Sequence, residues 1–268
     1  MISFPNAKIN LGLYITEKRK DGFHNIESVF YPIPFKDILE INFASKTSFE
    51  TTGLKIPGKN EDNLILKAYK ALRKDFNIDP VQINLHKQIP MGAGLGGGSA
   101  DGAFTIKLLN DLFELYLEDE LLEIYASDLG SDCPFFIKNE PSFVTGRGDE
   151  LEEIDFSLKG YYLILLNPGI HISTPKAYGM ISPNKIDFSL IDLIKSGPEN
   201  WQGNLKNDFE QPIVEEYPLI RQLVNGLYET GAVYASMTGS GSSVFGIFKD
   251  EPKETDGLAE YLVWKGKL

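Results

Sequence analysis

The segment Pro90-Met91-Gly92-Ala93-Gly94-Leu95-Gly96-Gly97-Gly98-Ser99-Ala100 decides how this sequence is interpreted, because five of its eleven residues are glycine. Such a density of glycine costs conformational entropy and indicates that another group approaches the backbone closely. Residues 81–89, directly before it, alternate apolar and polar side chains as a strand does, and residues 103–113 after it have helical spacing. The sequence therefore predicts a strand, a glycine loop and a helix in succession.

A loop of this kind at the start of a helix is suited to a phosphate chain. Its backbone N–H groups can point at one anion, and the positive end of the helix dipole adds to the attraction. Ser99, at the predicted start of the helix, can supply a hydroxyl to phosphate or to a magnesium ion. A tight connection that binds nothing is the alternative interpretation, and the cost of ordering so many glycines weighs against it.

Two other phosphate-binding motifs match this segment only in part. Gly92, Gly94 and Gly97 satisfy the G-x-G-x-x-G pattern of dinucleotide-binding proteins. However, Pro90-Met91 interrupts the junction, and no strand with an acidic end follows at about 20 residues, so that interpretation is a minor alternative. The Walker A pattern fails because Gly98 stands where a lysine is required, directly before the serine or threonine position that Ser99 occupies.

Composition and charge exclude several classes of function. The 268 residues carry a net charge of −12 with scattered lysines, so the basic patch of a nucleic-acid-binding protein is missing. Cys133 is the single cysteine, which excludes an intrachain disulfide and a cysteine-based zinc site. No signal peptide or membrane span is visible, so we expect a cytoplasmic protein without membrane partners. The sequence does not determine the oligomeric state.

Periodicity predicts the remaining elements. Residues 7–15 alternate as a strand that places Lys8, Asn10 and Gly12 on one face, and strands at residues 24–33 and 38–43 complete a predicted β-meander. Asp132 lies in a turn after a predicted helix. The polar stretch before residue 160 predicts a boundary between domains at residues 1–157 and 158–268. The other predicted elements are helices at residues 64–76 and 118–129 and strands at residues 161–166, 234–237 and 244–248.

Three motifs resemble those of the GHMP kinase superfamily, in the same order and with fitting spacing. Residues 90–101 resemble its central ATP-binding motif, residues 5–11 its first motif and residues 237–245 its third. The resemblance implies a two-domain α+β fold, with an N-terminal domain like ribosomal protein S5 domain 2 and a C-terminal ferredoxin-like domain. It also implies that the whole segment 90–100 binds ATP.

Four further segments narrow the resemblance to one branch of the superfamily. They are Ala7-Lys8-Ile9-Asn10-Leu11, Asp21-Gly22-Phe23-His24, residues 130–136, and Asn167-Pro168-Gly169 followed by Ser173-Thr174-Pro175. This branch acts on a small cytidine diphosphate substrate in non-mevalonate isoprenoid synthesis. The resemblance implies that ATP, used with Mg²⁺, phosphorylates the 2-hydroxyl of the methylerythritol moiety, giving the 2-phosphate and ADP.

The resemblance also implies two catalytic residues. Lys8 would lie near the transferring phosphate, where a cation stabilises charge in the transition state. Asp132 would pair with Lys8 and either accept the hydroxyl proton or orient the hydroxyl. A solvated strand lysine and a turn aspartate are the alternative interpretations.

The implied substrate contacts centre on the cytosine base. His24 would bind its edge, while Phe23 and Tyr178 would stack on its faces. The branch usually carries tyrosine where this chain has Phe23, so stacking is kept and a hydroxyl contact is lost. The other implied contacts are Asn10 and Thr174 near the diphosphate or the methylerythritol chain, and Gly239 and Gly241 in a turn that supports the glycine loop. His86 and His171 lack the spacing of a metal site, so we expect structural or surface roles.

Three rival functions are weighed against this one, and the third of them is the minor alternative described above. The first is a superfamily kinase for homoserine, mevalonate or a sugar, which would not need the nucleobase-binding residues Phe23 and His24. The second is a non-catalytic nucleotide-binding module, which would not need Lys8 and Asp132. The third is the nicotinamide oxidoreductase that the G-x-G-x-x-G match suggests.

Overall fold

A computed structural model describes residues 1–252 and 257–268, and the chain divides into two compact units. The units alternate along the sequence, so neither is one continuous segment. The first consists of Met1–Lys8, Phe35–Met91 and Gly96–Glu140, and the second of Ile9–Pro34, Gly92–Leu95 and Pro141–Leu268. The domain boundary predicted after residue 157 stays a prediction.

The elements follow the predicted periodicity closely. The described strands are β1 (Ile2–Ser3), β2 (Asn6–Lys18), β3 (His24–Lys36), β4 (Ile38–Phe43), β5 (Ser48–Gly53), β6 (Val81–Lys87), β7 (Ser142–Thr145), β8 (Glu150–Glu153), β9 (Tyr162–Leu166), β10 (Tyr234–Met237), β11 (Val244–Phe248) and β12 (Leu262–Lys267). The described α-helices are α1 (Leu64–Asp75), α2 (Gly97–Leu112), α3 (Asp119–Leu129), α4 (Phe135–Lys138), α5 (Thr174–Gly179), α6 (Leu190–Lys195), α7 (Glu210–Glu216) and α8 (Pro218–Glu229). Within the described ranges, no helix combines the length and the apolar character needed to cross a membrane.

The first unit places a sheet beside helices α1 and α2. The strand order is β1-β4-β6-β5, with β4 antiparallel and β5 parallel to β6. Alternate residues of β4 and β6, such as Leu39 and Ile83, are buried, whereas Glu40 and Asn84 hydrogen-bond to each other on the other face. Helix α1 begins at a conventional cap, because the Asn63 side chain accepts a hydrogen bond from the backbone N–H of Ile65. This one-sided burial explains why the alternation predicted the strands.

The second unit contains the sheet β10-β11-β9-β12 and most of the sheet β2-β3-β7-β8. In the former, β11 and β12 lie antiparallel on either side of β9, and β10 is antiparallel to β11. Counted along the chain, these strands have the spatial order 4-1-3-2 of a ferredoxin-like sheet. The predicted α+β class and its ferredoxin-like part are therefore confirmed.

The predicted opening β-meander is wrong in its third strand. Strands β2 and β3 are neighbours in one sheet, but β4 pairs with β1 and β6 in another. Only Asp37 separates β3 from β4, and a hairpin turn needs at least about two residues. The chain therefore cannot fold back on β3, and it continues into the other sheet.

Helix α2 begins six residues earlier than the position 103 that the spacing predicted, at Gly97. Its N-cap is Gly96, with φ of +69°, a conformation that favours glycine. Glycine is a poor helix former, so sequence periodicity gave no signal for this first turn. The helix consequently starts inside the glycine loop.

Candidate active site

Lys8 and Asp132 form an ion pair in the first unit. Lys8 lies on β2 with only 3% of its surface exposed, and its Nζ is 3.6 Å from Oδ2 of Asp132. The Asp132 side chain is 36% exposed, in the turn between α3 and α4. Burial lowers the pKa of the Lys8 ammonium, and the charge of Asp132 opposes that shift. The pair thus joins a desolvated cation to a carboxylate that a ligand can reach.

Lys8 also packs directly on the glycine loop. A Cβ atom added to Gly96 would lie 3.1 Å from Cγ of Lys8 and 2.9 Å from the Phe136 ring. Gly96 shares a positive φ with Gly92 and Gly94, whose φ angles are +64° and +79°. Glycine is therefore required at Gly96 both by backbone conformation and by the approach of the Lys8 side chain.

The first turn of α2 offers donors suited to an anion. The first N–H groups of a helix have no partner within it, and Gly96 has no side chain with which to cap them. Ser99 lies in this turn, half-buried, and its hydroxyl hydrogen-bonds with the thiol of Cys133. Burial raises the pKa of Cys133 to about 12, so this thiol is unreactive near neutral pH.

The middle of the glycine loop packs against the second glycine-serine turn. A Cβ atom on Gly94 would lie 2.0 Å from the carbonyl oxygen of Thr238, so the two backbones are in contact. The Thr238 hydroxyl donates to the Gly94 carbonyl at 3.2 Å and accepts from the backbone N–H of Asn10 at 3.0 Å. Gly239, the residue after Thr238, also contacts the loop, because a Cβ atom added to it would lie 3.0 Å from Cα of Gly94. The three sequence motifs therefore meet at this point.

Side chains behind this cluster fix Asn10 and the turn. The Asn10 amide donates to Ser28 at 2.9 Å, and the Ser28 hydroxyl donates to the carbonyl of Gly12 at 2.6 Å. The Asn207 amide donates to the carbonyl of Gly239 at 2.9 Å. These buried hydrogen bonds hold the polar groups of Asn10 and Gly239 in one arrangement.

An aromatic cluster contains two of the three predicted cytosine-binding residues. The rings of His24 and Tyr178 are stacked at 4.9 Å with 20° between their planes, and Tyr178 packs edge-on against Phe209. Burial, together with the positive charge of Lys18, lowers the pKa of His24. This shift favours the neutral imidazole, in which one ring nitrogen is a donor and the other an acceptor.

Phe23 precedes β3, and its side chain is exposed at 56% of its surface. The guanidinium of Arg147 lies over its ring at 5.2 Å from the centroid, and Arg147 in turn donates to Asp149 at 2.8 Å. The backbone N–H of Phe23 donates to Asp21 at 3.1 Å. A cation–π contact and a backbone hydrogen bond therefore constrain Phe23, although most of its side chain stays exposed.

The remaining predicted site residues have fewer contacts in the structure. Two residues next to the glycine loop were not predicted from the sequence as part of the site. Thr174 is the exposed first residue of α5, so its predicted contact stays a prediction. His86 is at the surface as expected, whereas exposed His171 lies beside Gly92, whose Cβ would be 3.3 Å from its Nδ1. Thr238 was not predicted as a site residue, although its place in the third motif was a usable signal. Spacing alone gave no sign of His171.

Within residues 1–252 and 257–268, no group of three or more histidine, cysteine, aspartate or glutamate side chains could hold a metal ion. Mg²⁺ with a nucleotide needs no such group, because it commonly takes one or two protein oxygens and completes its shell with phosphates and water. The Ser99 hydroxyl at the start of α2 is an oxygen of this kind. The residues present therefore fit a magnesium–nucleotide complex.

Comparison with known proteins gives a consistent result. The family models of the GHMP kinases N terminal domain and the GHMP kinases C terminal domain match residues 63–140 and 190–260. A 4-diphosphocytidyl-2-C-methyl-D-erythritol kinase of Bacteroides fragilis is 53% identical over 95% of this chain and 94% of its own length. The kinase of the same name from Parabacteroides distasonis is 48% identical over the full length of both chains. These matches confirm the two-domain GHMP kinase fold.

A solved structure agrees along nearly the whole length. The crystal structure of a 4-(cytidine 5'-diphospho)-2C-methyl-D-erythritol kinase superposes with a TM-score of 0.82 at 26% identity, covering 99% of this chain and 98% of that one. The chain is therefore an ATP-dependent kinase, and it belongs to the 4-diphosphocytidyl-2-C-methyl-D-erythritol kinase family of the GHMP kinases.

Proposed function

We propose that this chain transfers the γ-phosphoryl group of ATP to the 2-hydroxyl of 4-diphosphocytidyl-2-C-methyl-D-erythritol, giving the 2-phosphate and ADP in non-mevalonate isoprenoid synthesis. The observation that carries the proposal is the Lys8–Asp132 pair, since Lys8 packs on the glycine loop at Gly96 and lies 3.6 Å from an accessible carboxylate. A cation beside a phosphate loop and a proton acceptor are the groups that phosphoryl transfer to an alcohol requires. A cytoplasmic location and the lack of a nucleic-acid partner stay predictions from the sequence.

In the proposed reaction Asp132 accepts the proton of the 2-hydroxyl. The hydroxyl oxygen forms a bond to the γ-phosphorus, the bond from that phosphorus to the β,γ-bridging oxygen breaks, and ADP leaves with the electron pair. The Lys8 ammonium stabilises the negative charge that develops on the transferring group, and burial strengthens this interaction by excluding water. The segment 90–100 holds the phosphates through its N–H groups and the first turn of α2.

Ser99 is the residue that would hold Mg²⁺ with the nucleotide. Bound there, the ion would neutralise charge on the phosphate oxygens. The half-buried position of the hydroxyl in the first turn of α2 supports this role.

The residues proposed to contact the substrate all lie in the second unit. Tyr178 and Phe23 stack on the cytosine, neutral His24 hydrogen-bonds to its edge, and Asn10, Thr174 and Gly239 contact the diphosphate and the methylerythritol chain. The exposed ring of Phe23 supports the proposal, as do the half-buried rings of the stacked His24–Tyr178 pair, because aromatic surface that is not fully buried is what stacking on a base requires.

Tyr178→Ala tests this assignment. We expect the KM of the cytidyl substrate to rise by about tenfold, since removing a stacking aromatic costs about 1–3 kcal/mol per base. The KM of ATP should not change, and Tyr178→Phe should behave as the wild type because it keeps the ring. The measurement is coupled ADP release with each substrate varied in turn.

Tyr116→Ala is the control, since Tyr116 is an aromatic residue 80% exposed outside this group. An unchanged KM for the cytidyl substrate in Tyr178→Ala, or an equal rise in the KM of ATP, would contradict the assignment.

A further inference from the structure

Three charged side chains form a buried cluster in the first unit. Nζ of Lys87 is 2.5 Å from Oδ2 of Asp37 and 2.7 Å from Oδ2 of Asp101. The Lys87 and Asp37 side chains are completely buried, and that of Asp101 is 5% exposed. Lys87 lies at the end of β6, Asp37 in the link between β3 and β4, and Asp101 one turn after the start of α2. The reaction proposed above does not use any of them.

Asp37 fixes the strand end that leads into the glycine loop. Its Oδ1 accepts hydrogen bonds from the backbone N–H groups of Gln88 at 2.6 Å and Ile89 at 2.9 Å, directly before Pro90. Its own N–H donates to the carbonyl of Pro5 at 2.8 Å. One carboxylate therefore holds the last residues before the loop in place.

Asp101 and Gly97 fix the helix turn that follows the loop. Asp101 lies one turn into α2 and is tied to Lys87, which lies on the strand before the loop. A Cβ atom on Gly97 would be 2.7 Å from Cγ2 of Ile89 and 3.1 Å from Nζ of Lys87, so the helix start lies directly on the strand end. The two ends of the glycine loop are thus joined through the Lys87 ammonium.

Stability alone is a poor explanation for this cluster. Two carboxyl groups share one ammonium in the core, and Oδ1 of Asp101 is buried without a hydrogen-bond partner among the described residues. Burial, together with the charge of Asp37, raises the pKa of Asp101 to about 7, against the opposing charge of Lys87. Apolar residues of similar volume commonly stabilise a core as well as a buried ion pair does or better. The hydrogen bonds of this cluster accept few arrangements, so it is suited to fixing the geometry of the segments that it joins.

We propose that Lys87 and Asp101 are positioning residues for nucleotide binding, which with Asp37 hold both ends of the glycine loop so that its N–H groups are arranged for the phosphates before ATP arrives. The inference rests on the proposed function only in assigning ATP to this loop. Pre-arrangement matters because a flexible loop would lose conformational entropy on binding.

Asp101→Ala tests the inference. It removes the tie on the helix side and leaves the neutral Lys87–Asp37 pair intact, so we expect a folded protein. The dissociation constant of an ATP analogue with an imido β,γ-bridge, measured by calorimetry with Mg²⁺, should rise on the order of tenfold, as coupling through a packed network allows. Asp101→Asn keeps an acceptor for Lys87 and should restore binding to within about twofold of the wild type.

Thr105→Val is the matched control. Thr105 is one turn further along α2, is fully buried, and donates its hydroxyl to the carbonyl of Asp101 at 2.7 Å. This variant should lower the melting temperature without weakening analogue binding. The inference is overturned if Asp101→Ala binds the analogue like the wild type, if Thr105→Val weakens binding equally, or if Asp101→Asn fails to restore it.

Analogue binding needs no phosphoryl acceptor, so the two proposals fail separately. Weakened binding in Asp101→Ala alongside a wild-type chain that does not phosphorylate the cytidyl substrate supports the positioning role and contradicts only the proposed acceptor. Wild-type turnover with unaltered binding in Asp101→Ala overturns only the positioning role.

Discussion

Asp132→Asn is expected to lower kcat for the cytidyl substrate by about 10²- to 10⁴-fold, the contribution of a positioned proton acceptor. Asparagine has nearly the same shape and can still accept a hydrogen bond, but it cannot take up the hydroxyl proton. The KM values should change little, because the glycine loop and the aromatic residues are untouched. Steady-state ADP release at saturating concentrations of both substrates measures the effect.

The same variant separates two roles for Asp132. A residue that only orients the hydroxyl would tolerate asparagine, so kcat within about tenfold of the wild type would contradict proton acceptance. Glu123→Gln is a suitable control, because Glu123 forms an exposed ion pair with Lys138 at 3.8 Å and should be dispensable.

Lys8→Met, which keeps most of the packing on Gly96 and removes the charge, should lower kcat by a factor of the same order as Asp132→Asn.

Gly94→Ala is expected to weaken binding of the ATP analogue by at least about 100-fold, since displacing a binding group by about 1 Å can cost that much. The new Cβ would be placed 2.0 Å from the backbone carbonyl of Thr238, which cannot rotate away as a side chain would. The φ of +79° adds strain for any residue with a Cβ. The loop must therefore move away from the turn at Thr238. Calorimetry with the imido analogue and Mg²⁺ measures the loss.

Gly98→Ala is the control within the same loop. There the added Cβ would be 3.3 Å from the terminal methyl group of Met91, the end of a flexible side chain that can move. We expect analogue affinity within about threefold of the wild type, because alanine also favours the helix that Gly98 belongs to. Equal damage from both substitutions would show that the loop is sensitive to any change, and not to the contact between Gly94 and Thr238.

Local pattern was enough to predict most elements and the glycine loop. The structure confirms strand β6, helix α1 and helix α3 with its end at Gly130. Each of these elements buries one face, so its apolar residues recur with the period of a strand or a helix, and that period is visible in the sequence. The position of Asp132 in a turn after a helix is confirmed for the same reason. The roles of Lys8, Asp132 and the substrate-binding residues stay predictions, which the variants described above test.

Contacts between distant residues could not be predicted in this way. Lys87 is 50 residues from Asp37 along the chain, and no spacing rule links two such residues. Gly94 and Thr238, which are in contact, are 144 residues apart along the chain. In the sequence, nothing distinguishes Gly94 from the other glycines of the loop. Strands β3 and β4 belong to different sheets because the link between them is only one residue long, at Asp37. Alternation of apolar residues predicts the strands but not the length of the link. Pairing partners therefore had to come from the structure.

The most direct test of the central claim is coupled ADP release by the wild-type chain with Mg²⁺ and ATP, offering the cytidyl substrate, mevalonate and homoserine separately. We predict kcat/KM for the cytidyl substrate at least about a hundredfold above that for either other alcohol, since neither can use the base-binding residues. Comparable or faster turnover of mevalonate or homoserine would contradict the assigned substrate. Tight binding of the ATP analogue without ADP release from any of the three would contradict the assigned reaction.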